Sequence, residues 1–434
     1  MKGKGGNNMF AKNADPKFKR HAIGIIILGC LAIYFSCCLA SDALNIIEPA
    51  FTEKMGWSFS SVSLPFTIAN YALIIISFGF STYILRNGTR LFSVFAFSAM
   101  ALGTLLIAIA YSMSAGAYLL FLVGGLLTKF AAQAVQMVCF QLCANWFEST
   151  RGRILGIITI AAPLNSATSV ALLTLGTSTI GLTASYLIIT GILVLSVIMA
   201  VFFGISNPSD LGLTVDGLEE NREAVQEPVV SENEPYHTKW TFKKLISKPE
   251  TWALMIGFGI FNGTIGPVMG FFLVRMQEIG VSTAMGLTIL SVSSMLGIVL
   301  SYAFGWIDDK YGTPFASRIL GFTFVIACFL FYFGNADRIV FLWIAAIMMA
   351  SIVGGTPNLH PSSIIHVFGP KEYQAANRYI AIGMGILSSF GVQLMSILLD
   401  KTGSLTMGYL ILGILNIVAT ICMFLIRRQY IDED

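Results

Sequence analysis

A lysine and two glutamines occupy one face of an apolar segment in the first half of the chain. Lys129 is followed by Gln133 and Gln136, and a helix places residues at i, i+4 and i+7 within about 60° of one another. Lys129 lies about 18 Å from the start of its predicted span, where an ammonium group costs about 3 kcal/mol on insertion scales. A cation beside two amides in a wet cavity indicates a site for an organic anion. The alternative is structural, with Lys129 paired to Asp42 or to backbone carbonyls.

Two further residues have side chains that can carry a proton within apolar surroundings. Asp42 lies toward the end of the first apolar run, where it either carries a coupling proton or ends a helix in water. His360 lies 224 positions after Gln136 and can donate to an anion or carry a proton near neutral pH. The alternative for His360 is a hydrogen-bonded core histidine. Asp42 and His360 are therefore the predicted proton-coupling residues.

Three asparagines complete the predicted site. Asn165 falls at mid-depth of an apolar run, Asn262 lies in a glycine-rich run, and Asn358 precedes His360 by two positions. Glycine and proline at this density expose carbonyls where a helix lines a cavity, although close helix packing is the alternative. The predicted substrate-binding residues are Lys129, Gln133, Gln136, Asn165, Asn262, Asn358 and His360.

The composition shows which kind of protein must position these groups. Apolar residues make up 56% of 434 and charged residues only 11%, against roughly 25% charged in soluble proteins. At about 20 residues per span, the apolar residues fill about twelve membrane helices. This composition excludes a soluble enzyme, a disordered chain and a nucleic-acid binder. The net charge of +3 needs no nucleic-acid partner.

The cysteines and motifs give no sign of a metal, a cofactor or catalysis. All seven cysteines lie in apolar runs without metal-site spacing, so we interpret them as small hydrophobic residues. The sequence has no Walker A motif and no grouping typical of membrane hydrolases. We therefore expect a protein that is not an enzyme and has no catalytic residues, metal site or cofactor.

Apolar runs separated by short turns predict an all-α membrane protein with twelve transmembrane helices. The predicted spans are 22–44, 61–85, 91–111, 117–145, 154–176, 183–205, 251–274, 284–307, 315–334, 339–366, 375–399 and 405–426. Residues 207–250 form an acidic, proline-containing linker with a short amphipathic piece at 240–246. The predicted domains are a tail at 1–21, six-helix bundles at 22–206 and 251–427 around this linker, and a tail at 428–434.

The basic residues predict the orientation of the chain. Of 26 lysines and arginines, Lys129 lies within a span and the following lie on the side opposite both termini: Lys54, Arg275, Arg338 and Lys401. The others lie on the side of the termini and linker, which predicts that this side is cytoplasmic. We expect a multi-pass protein of the cell (inner or plasma) membrane that functions as a monomer.

The halves repeat each other, and the repeat contains a recognisable loop. Gly88 follows the second predicted helix and Gly312 the eighth, 224 positions later. Gly305–Gly312 resembles the Gly-x-x-x-Asp-(Arg/Lys)-x-Gly loop of the major facilitator superfamily. Its copy after the second helix has Leu85 in place of the acid. The predicted gating residues are Gly305, Asp309, Lys310, Gly312, Arg86, Gly88 and Arg90; a solvated turn is the alternative.

This resemblance implies the major facilitator fold, two pseudo-symmetric six-helix bundles with a site between them. The segment 207–217 and Asn145-Trp146-Phe147, followed by Arg151-Gly152, resemble oxalate/formate antiporter-like and monocarboxylate porters. They imply a secondary transporter that moves a small organic anion, such as a monocarboxylate, by alternating access coupled to protons or a counter-anion. The alternative is efflux of amphipathic or drug-like compounds by proton antiport, because fold does not fix substrate.

Overall fold

The computed structural model describes residues 15–113, 117–147, 154, 157–217, 240–369 and 372–426. Among these residues, twelve helices are long and apolar enough to cross a membrane. The predicted all-α class and the twelve spans are therefore confirmed. The tail 428–434, most of the tail 1–21 and the middle of the predicted linker lie outside the described residues.

The first helix is longer than the predicted span 22–44. It consists of α1 (Pro16–Cys37), a π-helical segment (Cys38–Asp42) and α2 (Leu44–Met55). Asp15 caps its start by accepting a hydrogen bond from the Lys17 backbone at 2.7 Å, and Pro16 occupies the first helical position, which suits proline. Gly56, at φ 69°, ends the helix. The predicted end near residue 44 agrees with the end of the membrane span at Asp42. The helix itself continues beyond the span, through a polar stretch that the apolar run does not cover.

The other helices follow the predicted spans to within a few residues. The first half continues with α3 (Phe59–Asn87), α4 (Thr89–Ser112), α5 (Tyr118–Trp146), α6 (Ala161–Ile180) and α7 (Leu182–Phe203). The second half contains α8 (Phe242–Ile246), α9 (Pro249–Gly270), α10 (Phe272–Glu278), α11 (Thr283–Tyr311), α12 (Thr313–Phe333), α13 (Ile339–Phe368), α14 (Tyr373–Ser388), α15 (Gly391–Thr402) and α16 (Thr406–Leu425). The short helix α8 confirms the amphipathic piece predicted at 240–246.

Buried apolar side chains form two clusters. One cluster draws on residues between 18 and 213, and the other on residues between 240 and 426 together with Val170. Each half thus has its own core, as expected when membrane helices pack through side-chain contact. The predicted bundle boundaries, 22–206 and 251–427, contain most of each cluster, which extends a few residues beyond them. The boundaries stay a prediction.

The internal repeat is visible in the backbone. Gly88 joins α3 to α4 at φ 77°, and Gly312 joins α11 to α12 at φ 87°. These are left-handed angles that glycine adopts without a steric penalty. The same turn therefore connects corresponding helices in both halves, at the spacing that the sequence predicts.

Several hydrogen bonds join the two halves on the side of the molecule away from residues 207–250, which we call the far side. The Asp400 carboxylate accepts from the backbone N–H groups of Phe59 and Ser60, both at 2.8 Å. The Gln393 side-chain oxygen accepts from the Ser63 and Thr67 hydroxyls at 3.2 and 3.3 Å. These contacts fix the start of α3 against α15 and hold the far side closed.

Candidate functional site

The Lys129 ammonium group faces the π-helical segment of the first helix. Its Nζ donates to the Ala40 carbonyl at 3.3 Å, from a half-buried side chain on α5. Within the described part of the chain, no carboxylate lies within 4.0 Å of this nitrogen. The π-helical segment places carbonyls out of ordinary helical register, which is common at functional sites. Lys129 is thus partnered by a carbonyl dipole and has capacity for two more hydrogen bonds.

Asp42 lies two residues beyond Ala40 and has different partners. Its side chain is 3% exposed, so the interpretation of Asp42 as a helix end in water is wrong. Its carboxylate accepts from Asn165 Nδ2 at 2.7 Å, Ser166 Oγ at 3.1 Å and Ser41 Oγ at 3.0 Å. Three donors can compensate a buried negative charge. Asp42 therefore ties the first helix to α6 and does not pair with Lys129.

Gln136, on the same face of α5, also contacts the first helix. Gln136 Nε2 donates to the Ser36 hydroxyl at 2.7 Å, and the Gln133 side chain is half-buried. Nearby on the first helix, the Tyr34 hydroxyl shares a hydrogen bond of 2.9 Å with Thr168 on α6. The structure thus brings Lys129, Gln136 and Asn165 around one helix.

The predicted residues of the second half lie around α9 instead. The His360 ring contacts the Phe258 ring edge-on with centroids 5.3 Å apart, and its buried Nε2 has no hydrogen-bond partner among the described residues. Asn262 Nδ2 donates to the Phe258 carbonyl of its own helix at 3.0 Å, while Asn358 is exposed. Among the described contacts, none links these residues directly to Lys129.

The two groups of residues occupy matching positions in the two halves. Gln136 on α5 contacts Ser36 on the first helix, and His360 on α13 contacts Phe258 on α9. Asn45 Nδ2 also donates to the Met269 carbonyl at 2.8 Å. These two residues are 224 positions apart, which is the spacing of the internal repeat. This contact joins equivalent positions in the first helix of the first half and in α9 of the second half, as expected near a pseudo-twofold axis.

A pocket of about 260 Å³ lies apart from this polar cluster, between α1, α6 and α7. Its wall is largely apolar and includes Tyr34, Cys38, Ser169 and Leu172. None of the predicted substrate-binding residues lines it. The pocket therefore suits an apolar group, whereas the polar cluster suits a charged one.

Glu48 is a buried acid that the sequence analysis missed. It lies on α2, beyond the Pro16–Asp42 span, and is 0% exposed. Neither of its carboxylate oxygens has a hydrogen-bond partner among the described residues. Burial first, and the negative charge of Asp400 second, raise the pKa of Glu48 well above its ordinary value. The signal in the sequence is a row of polar residues at helical spacing that begins near the end of the apolar run and continues beyond it: Ser41, Asn45, Glu48 and Thr52.

The described residues of the predicted gating loops lie at the end of α11, at the start of α4 and in the glycine turns beside them. Lys310 Nζ lies 4.6 Å from the centre of the Trp306 ring, and Gly305 lies within α11. Arg90 Nε donates to the Val201 carbonyl at 3.0 Å. The side chains of Asp309 and Arg86 lie outside the described residues. The gating role stays a prediction.

The twelve apolar helices found among the described residues pack around buried polar groups and define a multi-pass integral membrane protein. A model of the Major Facilitator Superfamily matches residues 30–365. The chain therefore belongs to this superfamily, and it is a transporter. No curated protein matches the chain.

The fold is similar to solved structures of two transporters. A bacterial homologue of the human lysosomal transporter Spinster, inward-facing and occupied, gives a TM-score of 0.68 at 12% identity over 95% of this chain and 97% of that one. Its inward-facing, unoccupied form gives 0.66 at 11% identity over 95% and 98%. A D-xylose-proton symporter gives 0.70 at 14% identity over 93% and 97%. At these identities the likeness concerns the fold alone.

Proposed function

We propose that this transporter moves a small organic anion, with Lys129 holding the negative group of the substrate. The observation that carries the proposal is a lysine ammonium inside a membrane span that faces a single carbonyl and no described carboxylate. A charge in this position is expensive unless something compensates it. A bound carboxylate supplies the missing compensation, so the site is complete only when an anion occupies it.

The predicted partners of Lys129 have different parts in this proposal. Gln133 and Gln136 extend the face that carries the ammonium, and their amides supply directional hydrogen bonds. Asn165 contributes indirectly, because its nitrogen is already bonded to Asp42. His360, Asn358 and Asn262 supply the corresponding surface of the second half, which meets the substrate as the halves move.

Transport proceeds by alternating access and is coupled to protons or to a counter-anion. The resemblance to monocarboxylate and oxalate/formate-type porters supports an organic anion, and the likeness in fold to a proton symporter is compatible with proton coupling. Asp42 and His360 are the coupling residues that the sequence indicates. His360 fits better, because its buried Nε2 has no hydrogen-bond partner in the part of the chain that the structure describes, whereas Asp42 accepts from three donors.

The protein acts as a monomer in the cell membrane, with both termini and the linker in the cytoplasm. The support is the distribution of basic residues, which favours the side of the termini. In this orientation the far side, closed by Asp400 and Gln393, faces outward.

A second candidate function is proton-driven efflux of amphipathic compounds. The observation that favours it is the largely apolar pocket of about 260 Å³ between α1, α6 and α7. A compound of this kind uses apolar contact rather than Lys129. The two candidates therefore differ in whether the ammonium group contributes to binding.

Thermal stabilisation of the purified protein distinguishes these functions. A ligand at 100 times its dissociation constant adds about 2.7 kcal/mol to stability, which raises the melting temperature measurably. We expect one or more monocarboxylates to stabilise the wild type but not Lys129→Met, and organic cations to have no effect. Stabilisation by organic cations alone, equal in both proteins, would reject the anion proposal and support efflux.

A further inference from the structure

Glu48 lies in the closed interface between the two halves. Asn45, one turn earlier, donates to the Met269 carbonyl and accepts from the Leu273 N–H at 2.9 Å. On the other flank, the Ser396 hydroxyl of α15 lies near the carboxyl group but donates to the Val392 carbonyl at 3.0 Å. Glu48 is thus enclosed by groups of both halves whose hydrogen bonds go elsewhere.

A carboxyl group in such surroundings is stable only in its neutral form. An ionised carboxylate without donors is far more costly to bury than a protonated one. The repeat supports this argument, since the position equivalent to Glu48 in the second half is Phe272, which is 1% exposed. The equivalent position of the second half thus holds a buried apolar side chain, which a carboxyl group matches more closely when it is protonated.

The charged groups around Glu48 do not supply a counter-charge. Asp400 on α15 raises its pKa further, and Arg275 on α10 is engaged with Glu278 at 3.1 Å. The helix α6 carries no charged residue. On α2 and on the elements packed against it, the remaining described ionisable groups are Cys38, Asp42, Glu53, Lys54, Tyr71, Tyr83 and Lys401.

We propose that Glu48 binds a proton when the far side closes and releases it to the far side when the Asp400 contacts with Phe59 and Ser60 open. The proposal rests on the proposed function only in that this proton is coupled to transport. In the closed form the Asp400 carboxylate accepts hydrogen bonds from the backbone N–H groups of Phe59 and Ser60. Glu48, eight residues beyond Ala40 on the same helix, is neutral. Opening exposes both carboxyl groups to water.

The direction of the pH dependence follows from linkage. The closed form has the higher pKa for Glu48, so it binds the proton more tightly and is favoured at low pH. Between the pKa values of the open and closed forms, raising the pH shifts the equilibrium toward the open form. For one proton this shift is at most about tenfold per pH unit.

Distances between spin labels on the two halves measure this equilibrium. Labels are placed at Ser178→Cys and Ala336→Cys, both exposed on the far side in different halves, after replacement of the seven native cysteines. The full chain is studied in lipid nanodiscs without substrate. We expect the long-distance population to grow with pH in the parent protein and to be small at every pH in Glu48→Gln, which is permanently neutral.

Two comparison variants make the result decisive. Glu53→Gln removes an exposed acid from the same helix. Its long-distance population is expected to grow with pH as in the parent protein. Lys129→Met is expected to show the same growth of the long-distance population with pH, whether or not it binds an anion. A failure of the Glu48 proposal is therefore distinguishable from a failure of the anion-site proposal. The assignment of Glu48 would be overturned if the long-distance population grew with pH in Glu48→Gln as it does in the parent protein. It would also be overturned if this population did not change with pH in the parent protein. If Glu48→Gln does not fold, Glu48→Met, which matches the apolar counterpart, replaces it and must give the same pH-independent closed form.

Discussion

At the scale of single residues, three ionisable side chains of the first half, those of Asp42, Lys129 and Glu48, differ in their hydrogen-bond partners. Asp42 accepts three hydrogen bonds, Lys129 donates to one carbonyl, and Glu48 has no hydrogen-bond partner among the described residues. A buried polar group whose hydrogen bonds are all made stabilises the fold, whereas one that lacks hydrogen-bond partners remains available to a ligand. By this criterion we assign Asp42 a structural role, and we propose that Lys129 binds an anion and Glu48 a proton.

The structural role of Asp42 predicts a loss of stability when its closest donor is removed. Asn165→Ala leaves the carboxylate without the hydrogen bond of 2.7 Å. We expect a destabilisation of about 1–3 kcal/mol, the effect of leaving a buried polar group unpaired. Thermal unfolding in detergent measures this change, with Ser178→Ala, an exposed position on the same helix, as the control. Equal melting temperatures for the two variants would show that Asp42 does not need this donor.

The sequence predicted Lys129, Gln133 and Gln136 as one polar face, because three positions on one helix follow from periodicity alone. It could not predict that Asp42 bonds to Asn165, since this contact joins residues 123 positions apart. Glu48 was missed for a different reason. The first apolar run ends near residue 44, and the continuation of the helix depends on tertiary contacts such as that of Asn45 with Met269.

At the scale of helices, hydropathy predicted the spans well because every backbone group in a membrane must be satisfied within its own helix. The exceptions among the described residues are the places where a predicted span is divided: the π-helical segment of the first helix, Phe271 between α9 and α10, and the junction of α14 and α15. Hydropathy contains no signal for such breaks. The glycine turns at Gly88 and Gly312 were predictable, because they recur in both halves.

The loop between α11 and α12 predicts a gating effect for Asp309. An acid at this position can interact with helix ends in one conformation and lose these interactions in the other. Asp309→Asn is expected to slow transport while substrate affinity stays near that of the wild type. Transport rates and binding in the same preparation test this. Wild-type turnover in the variant would identify the loop as a solvated turn.

At the scale of the whole molecule, the described contacts between the halves include a continuous set on the far side. Asn45, Asp400 and Gln393 all bridge the halves there. Because these bonds join backbone and side chains of different halves, they must break for the far side to open. The sequence predicted two similar halves but not which side is closed, since closure depends on contacts that change during transport.

The basic residues predict the orientation of the molecule in the membrane. In intact cells, an impermeant thiol reagent is expected to label a cysteine placed at Ser114 and to miss one placed at Ser231. Both positions lie outside the described residues, in predicted loops on opposite sides. Permeabilised cells, in which both positions react, provide the control. Labelling of Ser231→Cys alone in intact cells would reverse the orientation.

The central claim is that Lys129 binds the negative charge of the substrate. The most direct measurement compares the affinity of the best-stabilising carboxylate with that of its neutral amide, in the wild type and in Lys129→Met. Methionine keeps length and apolar bulk, so we expect the variant to fold, and Lys54→Met serves as a control at an exposed lysine. A charged hydrogen bond of about 1.5–3 kcal/mol corresponds to roughly a ten- to hundredfold preference for the carboxylate. We predict that the wild type and Lys54→Met show this preference and that Lys129→Met loses it. A Lys129→Met protein that keeps the wild-type affinity for the carboxylate would contradict the claim.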